Sequence, residues 1–285
     1  MSETAWISSG DQLGEGPCWD HRRGWLWWVD ILRARLHRCD DARQDHRSWE
    51  LPRRVSALAL TRDPDRLLVG SEAGVESFDS SSGALTLLAP FPADEPPANR
   101  SNDGGVDLRG RFWLGTMSEV EGESSGSFYV YERGRLRRVL SDWGIPNTAC
   151  FSPDGRMYLA DSARRELYAY TLDAAGLPGE RTRFADSPRG GATPDGSALD
   201  AEGHLWNCEW GGARVVRYTP AGAIERVVEL PPRQTTACCF GGPKLEDLFV
   251  TSARVGREDE PGAGHVYRVH VGVPGLPTTI AETPA

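Results

Sequence analysis

The sequence predicts an all-β fold, a six-bladed β-propeller with four-stranded antiparallel blades. Three observations carry that expectation. A segment of common form recurs six times: a short apolar run, a turn, a second apolar run with aromatics, then a third strand-like run. The second runs begin near Trp25, Leu67, Arg111, Arg156, His204 and Asp247, so the spacing stays between 42 and 48 residues. That is the period of a propeller blade. The chain is also rich in turn formers, with 32 glycines and 20 prolines, as expected of many short strands. Finally, no amphipathic helical pattern of about ten residues or more is present.

The elements follow in order. Blade 1 opens at Leu13-Gly14-Glu15-Gly16-Pro17, turns at Asp20 to Gly24 and returns through Trp25-Leu26-Trp27-Trp28-Val29. Blade 2 carries Glu76-Ser77-Phe78-Asp79 as its third run. Blade 3 turns at Asp107-Leu108-Arg109-Gly110, where glycine supplies a positive φ, and continues through Arg111-Phe112-Trp113-Leu114-Gly115 and Gly126 to Tyr131. Blades 4 and 5 repeat the plan around Ser152-Pro153-Asp154-Gly155 and Asp200-Ala201-Glu202-Gly203, with third strands Glu166 to Tyr170 and Arg214 to Tyr218. Blade 6 ends on Gly264 to Arg268. Such an array must close on itself or leave an apolar face wet. The expected closure adds Ala5-Trp6-Ile7-Ser8 as an outer strand of the last blade, making residues 1–285 a single domain. Pro90 to Pro97 and Glu119 to Ser125 are the lid or rim candidates.

Composition limits the function. A net charge of −9 and a pI near 5.3 argue against a nucleic-acid surface and against an anionic membrane. No window holds the ~18 apolar residues of a membrane span. The start of the chain, Met1 to Trp6, lacks the basic and apolar parts of a leader. The expectation is a cytosolic monomer with reduced cysteines. Cys18, Cys150, Cys208, Cys238 and Cys239 lie in strand-like runs and read as packing residues. The six histidines show no paired ligand spacing. Gly122 to Gly126 matches Gly-x-Ser-x-Gly but lacks the strand–turn–helix context that strains a nucleophilic serine.

Five positions before the first turn residue of each blade stand Glu15, Leu58, Asn102, Asn147, Asp195 and Thr236. Innermost strands of a propeller are parallel around one axis, so an equal register places these side chains at one height. Bare carboxylates gathered there repel and hold protons. A hard cation relieves that, and Glu, Asp and Asn oxygens suit Ca²⁺. Arg100, beside them, can reach over the mouth to a substrate hydroxyl or carboxylate.

The motifs Leu13-Gly14-Glu15-Gly16-Pro17, Arg100-x-Asn102-Asp103-Gly104, Gly115-Thr116-Met117, Asn147 ahead of Phe151 to Gly155, Pro194-Asp195-Gly196 and Trp210-Gly211-Gly212 resemble those of the SMP-30/gluconolactonase/regucalcin-like family, over essentially the whole chain. The similarity is greatest to bacterial sugar lactonases of the xylonolactonase and arabinolactonase type. The resemblance implies a six-bladed propeller with one divalent metal held by Glu15, Asn147 and Asp195. Ca²⁺ is the first expectation, with Zn²⁺, Mg²⁺, Mn²⁺ or Fe²⁺ as alternatives. It implies substrate contacts at Arg100, Asn102 and Glu119, where some members carry two acids and this chain has Glu119-Val120, and Asp103 as a second-ion or supporting position. The implied activity is hydrolysis of a sugar lactone, a small-molecule substrate, to the aldonic acid. The metal acts on the carbonyl and Asp195 serves as the catalytic base. A calcium-dependent esterase or phosphotriesterase and a non-catalytic calcium-binding propeller are the competing expectations.

Overall fold

The structure, a computed structural model, describes residues 4–185 and 189–283. Met1 to Glu3 of the stretch read above for a leader, and the last two residues of the proposed single-domain span, lie outside the described residues. Six antiparallel sheets follow one another along the chain, each with its strands in sequence order, and together they form a six-bladed β-propeller. The inner strands are Gly14–Asp20, Val55–Leu60, Asn99–Val106, Pro146–Phe151, Thr193–Leu199 and Thr235–Gly241, for blades 1 to 6.

Strand periodicity explains how the blades cohere. Successive side chains point to opposite faces, so each buried strand feeds two seams. Phe112 packs in the seam between blades 2 and 3, while its neighbour Trp113 packs between blades 3 and 4. Trp27 and Trp28 divide likewise between the blade 1–2 and blade 6–1 seams. Six apolar clusters result, one per seam. Each fully buried large apolar side chain contributes about 1.5–3 kcal/mol relative to exposure.

Two expectations need correction. Five blades have four strands, but blade 6 has three, Thr235–Gly241, Asp247–Ser252 and Tyr267–His270. Its outer place is taken by the N-terminal segment, which makes only an isolated bridge, Ile7 to Val266, with the Trp6 amide donating to the Val266 carbonyl at 2.8 Å. Closure therefore falls where the sequence suggested, with less strand than a full fourth member. The second correction concerns blade 2. Its inner hairpin closes at the pair Leu60 and Leu67, against Asp20 and Trp25 in blade 1. The longer loop moves Asp63 away from the strand end, and counting back from Asp63 misplaces the register.

At the far end, opposite the mouth, the segment after blade 6 runs back across the molecule. Its backbone bonds to Leu245, Leu199, Leu60 and Gly110 in turn, and Thr278 Oγ1 donates to the Trp19 carbonyl.

Candidate active site at the propeller mouth

Six strand pairs fix the height of the central ring. Gly14 faces Asp30, Val55 faces Ser71, Ser101 faces Thr116, Pro146 faces Asp161, Pro194 faces Glu209 and Thr235 faces Ser252. The residues that follow on the inner strands are Glu15, Ser56, Asn102, Asn147, Asp195 and Thr236. Five of these match the register read from the turns. In blade 2 Ser56 replaces Leu58, whose side chain instead packs in the blade 1–2 seam.

A β-bulge follows at this level in every blade, with three steps on the inner strand facing two on its partner in five blades and two facing one in blade 2. Bulges bend a strand and re-aim side chains. Gly16, after Glu15, has φ +55°, and Thr148, after Asn147, has φ +59°. For a fully buried β-branched residue that conformation stores about 1–3 kcal/mol of strain. It turns the Thr148 amide onto Asp103 Oδ2 at 2.8 Å, and Thr148 Oγ1 onto the Asp195 carbonyl.

The ring is buried and acidic. Glu15, Asp103 and Asp195 are 6–8% exposed. Burial, then the neighbouring Asp195 and Asp103, hold the Glu15 carboxyl well above its ordinary pKa. Burial and Asp103 do the same to Asp195, and burial pushes Asp103 up to about 6. Among the described residues no ion pair within 4.0 Å reaches any of the three. Asn147 is oriented on both sides: its Nδ2 donates to Ser162 Oγ at 2.8 Å and its Oδ1 accepts from Asn102 Nδ2 at 3.1 Å. Ser162 Oγ in turn donates to the Pro194 carbonyl, which ties the orientation of Asn147 to the strand of Asp195. Ser56 Oγ is buried with no hydrogen-bond partner, whereas Thr236 Oγ1 is committed to the Gly14 carbonyl and to Thr251.

This donor set fits a hard cation. Two carboxylates and an amide oxygen are the ligand types such an ion prefers, and the described residues supply no countercharge within ion-pair distance. Among the described residues a second cluster of potential ligands, Asp200, Glu202 and His204, has its ligand atoms within 4.8 Å of one another. There Arg217 bonds both acids, and Trp206 Nε1 donates to Asp200 at 2.9 Å, so the protein already neutralises that group.

Above the ring a cavity of about 540 Å³ is walled by Arg100, the 117–124 stretch, Ile145 and Arg164. Arg100 is nearly buried, with Nη1 donating to the Ser101 carbonyl and to Asn102 Oδ1. Glu119 is half exposed at the rim and paired to Arg54, with both its oxygens accepting. Of the two rim candidates, the 119–125 loop lines the cavity. The Pro90 to Pro97 loop is instead pinned to blade 3 by Arg138 on Asp94 and Glu95. Below the ring lies a second chamber of about 510 Å³, in whose wall stand Cys18, Cys150, Cys238 and Cys239. All six cysteines are free, and burial pushes Cys18 up to about 12 and Cys150 and Cys239 well above the ordinary thiol range. They are packing residues, as read from the sequence.

Sequence reasoning missed Ser56, Thr148, Ser162 and Arg54. Only Ser162 left a signal, being the residue after Asp161, where blade 4's second strand ends at the mouth.

Fold and ring together define a six-bladed propeller with a buried oxygen-donor site at one end of its axis. The chain belongs to the SMP-30/gluconolactonase/LRE-like family, whose model matches residues 13–254. It is similar to the L-arabinolactonase of Azospirillum brasilense, 38% identical over 283 residues that cover 95% of this chain and 93% of that one. The 6-deoxy-6-sulfogluconolactonase of Pseudomonas putida is 35% identical, with 92% of each chain covered. A crystal structure described as a calcium-binding protein, regucalcin, from Agrobacterium tumefaciens superposes with a TM-score of 0.92 at 35% identity, covering 99% of both chains. No helix among the described residues is long and apolar enough to cross a membrane.

Proposed function

We propose that this protein hydrolyses a sugar lactone to the free aldonic acid, with a divalent metal at the mouth of the propeller. The observation that carries the reading is the pair of buried carboxylates, Glu15 and Asp195, which repel one another and Asp103 and, among the described residues, meet no cation within ion-pair distance, the nearest influence being Arg100 on Glu15. Likeness to two sugar lactonases over nearly the whole chain supports the substrate class.

Glu15, Asn147 and Asp195 would hold the ion, Ca²⁺ being the first choice for an all-oxygen set. When bound, it supplies Lewis acidity toward the lactone carbonyl. Asp195, on the ring beside the substrate's approach, takes a proton from the attacking water as general base. Asp103 stands beside both carboxylates and carries the Thr148 amide, so it steadies the bulge that aims Asn147. Arg100 lines the cavity and is bonded to Asn102 on the ring, and the two orient sugar hydroxyls. Glu119 acts at the rim through the arginines that flank it.

A pH-stat assay with arabinonolactone, xylonolactone, gluconolactone and galactonolactone tests the reading. Turnover is expected on at least one, lost with EDTA and restored by metal. Metal binding without turnover identifies a calcium-binding propeller instead. Turnover confined to phosphotriesters or simple esters identifies the esterase class.

A further inference from the structure

We propose that Arg54 sets substrate affinity by keeping Glu119 away from Arg100. This rests on the lactonase reading for its kinetic arm. Four charged groups stand in a row across the mouth: Glu72, Arg54, Glu119 and Arg100. Arg54 lies just ahead of the inner strand of blade 2 and is fixed from behind by Glu72. Arg54 Nε donates to Glu72 Oε1 at 2.8 Å, and its backbone amide donates to Glu72 Oε2 at 3.0 Å. Forward, it grips Glu119 in a two-toothed pair, Nη1 to Oε1 at 2.6 Å and Nη2 to Oε2 at 2.8 Å. Such forks are strong and directional. Glu119 belongs to the loop that walls the cavity above the ring.

Arg100 is the other claimant on that carboxylate. Its Nε stands 3.8 Å from the same oxygen, Glu119 Oε1, too far for a hydrogen bond. Glu119 is the one carboxylate within ion-pair distance of Arg100 among the described residues. A guanidinium has five N–H donors, and only those on Nη1 are committed, to the Ser101 carbonyl and Asn102 Oδ1. A nearly buried cation so placed gains from any acceptor that reaches it. Arg54 decides which acceptor that is. By holding both oxygens of Glu119, it leaves the remaining Arg100 donors facing the cavity for sugar hydroxyls. Without Arg54, Glu119 closes the gap, takes the Arg100 fork, and draws its loop over the entrance. Arg54 is therefore a positioning residue acting through Glu119, and affinity rather than chemistry depends on it.

The test compares wild type, Arg54→Gln, Arg54→Lys and the double variant Arg54→Gln with Glu119→Gln, by lactone kinetics and by a crystal structure of Arg54→Gln. Arg54→Gln is expected to raise KM about tenfold with kcat within about twofold, and Arg54→Lys to recover part of the loss. Adding Glu119→Gln to Arg54→Gln lowers KM again, because a neutral amide no longer competes for Arg100. In the crystal structure Glu119 stands within hydrogen-bond distance of Arg100. An unchanged KM in Arg54→Gln, a double variant no better than the single one, or Glu119 left in solvent overturns the proposal. If wild type turns over no lactone, the lactonase reading fails, and the crystal structure alone still decides this one.

Discussion

Asp195 and Asp200 lie five residues apart on the same blade, and both are buried. Asp200, at the turn end, accepts from the backbone amides of Glu202 and His204, from Trp206 Nε1 and from Arg217 Nε, all within 3.0 Å. Asp195, at the mouth, has its backbone carbonyl bonded by Asn207 and Thr148, while its carboxylate meets no cation within ion-pair distance and faces the repulsion of Asp103. The same contrast holds in blade 3. Asp107 collects the Arg111 guanidinium and Trp113 Nε1, whereas Asp103 has only two backbone amides. A buried carboxylate that serves the fold is compensated by the chain that carries it. Asp195 and Asp103 are held in place through backbone contacts, and their charge is left unmet within ion-pair distance among the described residues, as the proposed metal site requires.

Substitutions at the two ends therefore have different consequences. Asp195→Ala is expected to lower kcat by about 10³-fold or more and to abolish metal retention, with no loss of thermal stability in the metal-free protein. A stable variant that still binds metal and turns over lactone breaks the contrast. Asp200→Ala takes the buried carboxylate from Arg217, which keeps Glu202 and Glu225, and leaves Trp206 Nε1 and the Glu202 and His204 amides without their acceptor, at about 1–3 kcal/mol for each donor left unmet. Its Tm should fall by roughly 6 °C or more, while kcat per folded molecule, read at low temperature, stays unchanged.

The smallest effect is the most diagnostic. Glu15 and Asp195 hold protons more tightly folded than unfolded. Their contribution to the metal-free protein is thus fully present below an ordinary carboxylate pKa of about 4. It is lost as pH rises through their elevated folded values. Bound metal needs both groups ionised. Chelation is therefore expected to lower Tm by several degrees at pH 8 and by much less at pH 5. Glu15→Gln, which removes one of the repelling charges, should raise the Tm of the chelated protein at pH 8 by a few degrees. A chelation shift independent of pH removes these two carboxylates from the site.

Much of this arrangement is legible in the residues, for a physical reason. Each hairpin turn announces itself through Asp, Pro and Gly, and strand pairing transmits the register from turn to mouth without loss. Glu15, Asn147 and Asp195 could be aligned because their hairpins keep nearly one loop length. Blade 2 escaped because its loop between Leu60 and Leu67 is longer, which hid Ser56 behind Leu58. The pairing of Arg54 with Glu119 spans 65 positions and exists only once two blades stand side by side. No local pattern records it. Nor does any pattern announce the positive φ of Thr148, since isolated β-branched residues avoid that conformation and only the packed bulge enforces it.

The tail that follows blade 6 touches blades 6, 5, 1, 2 and 3 in succession across the far face. It works as a drawstring. Open repeat arrays can fray from either end, one unit at a time. Here none of those five blades can swing outward without tearing bonds on the same strap that fastens the other four, so fraying from either end of the array is resisted across most of the circle.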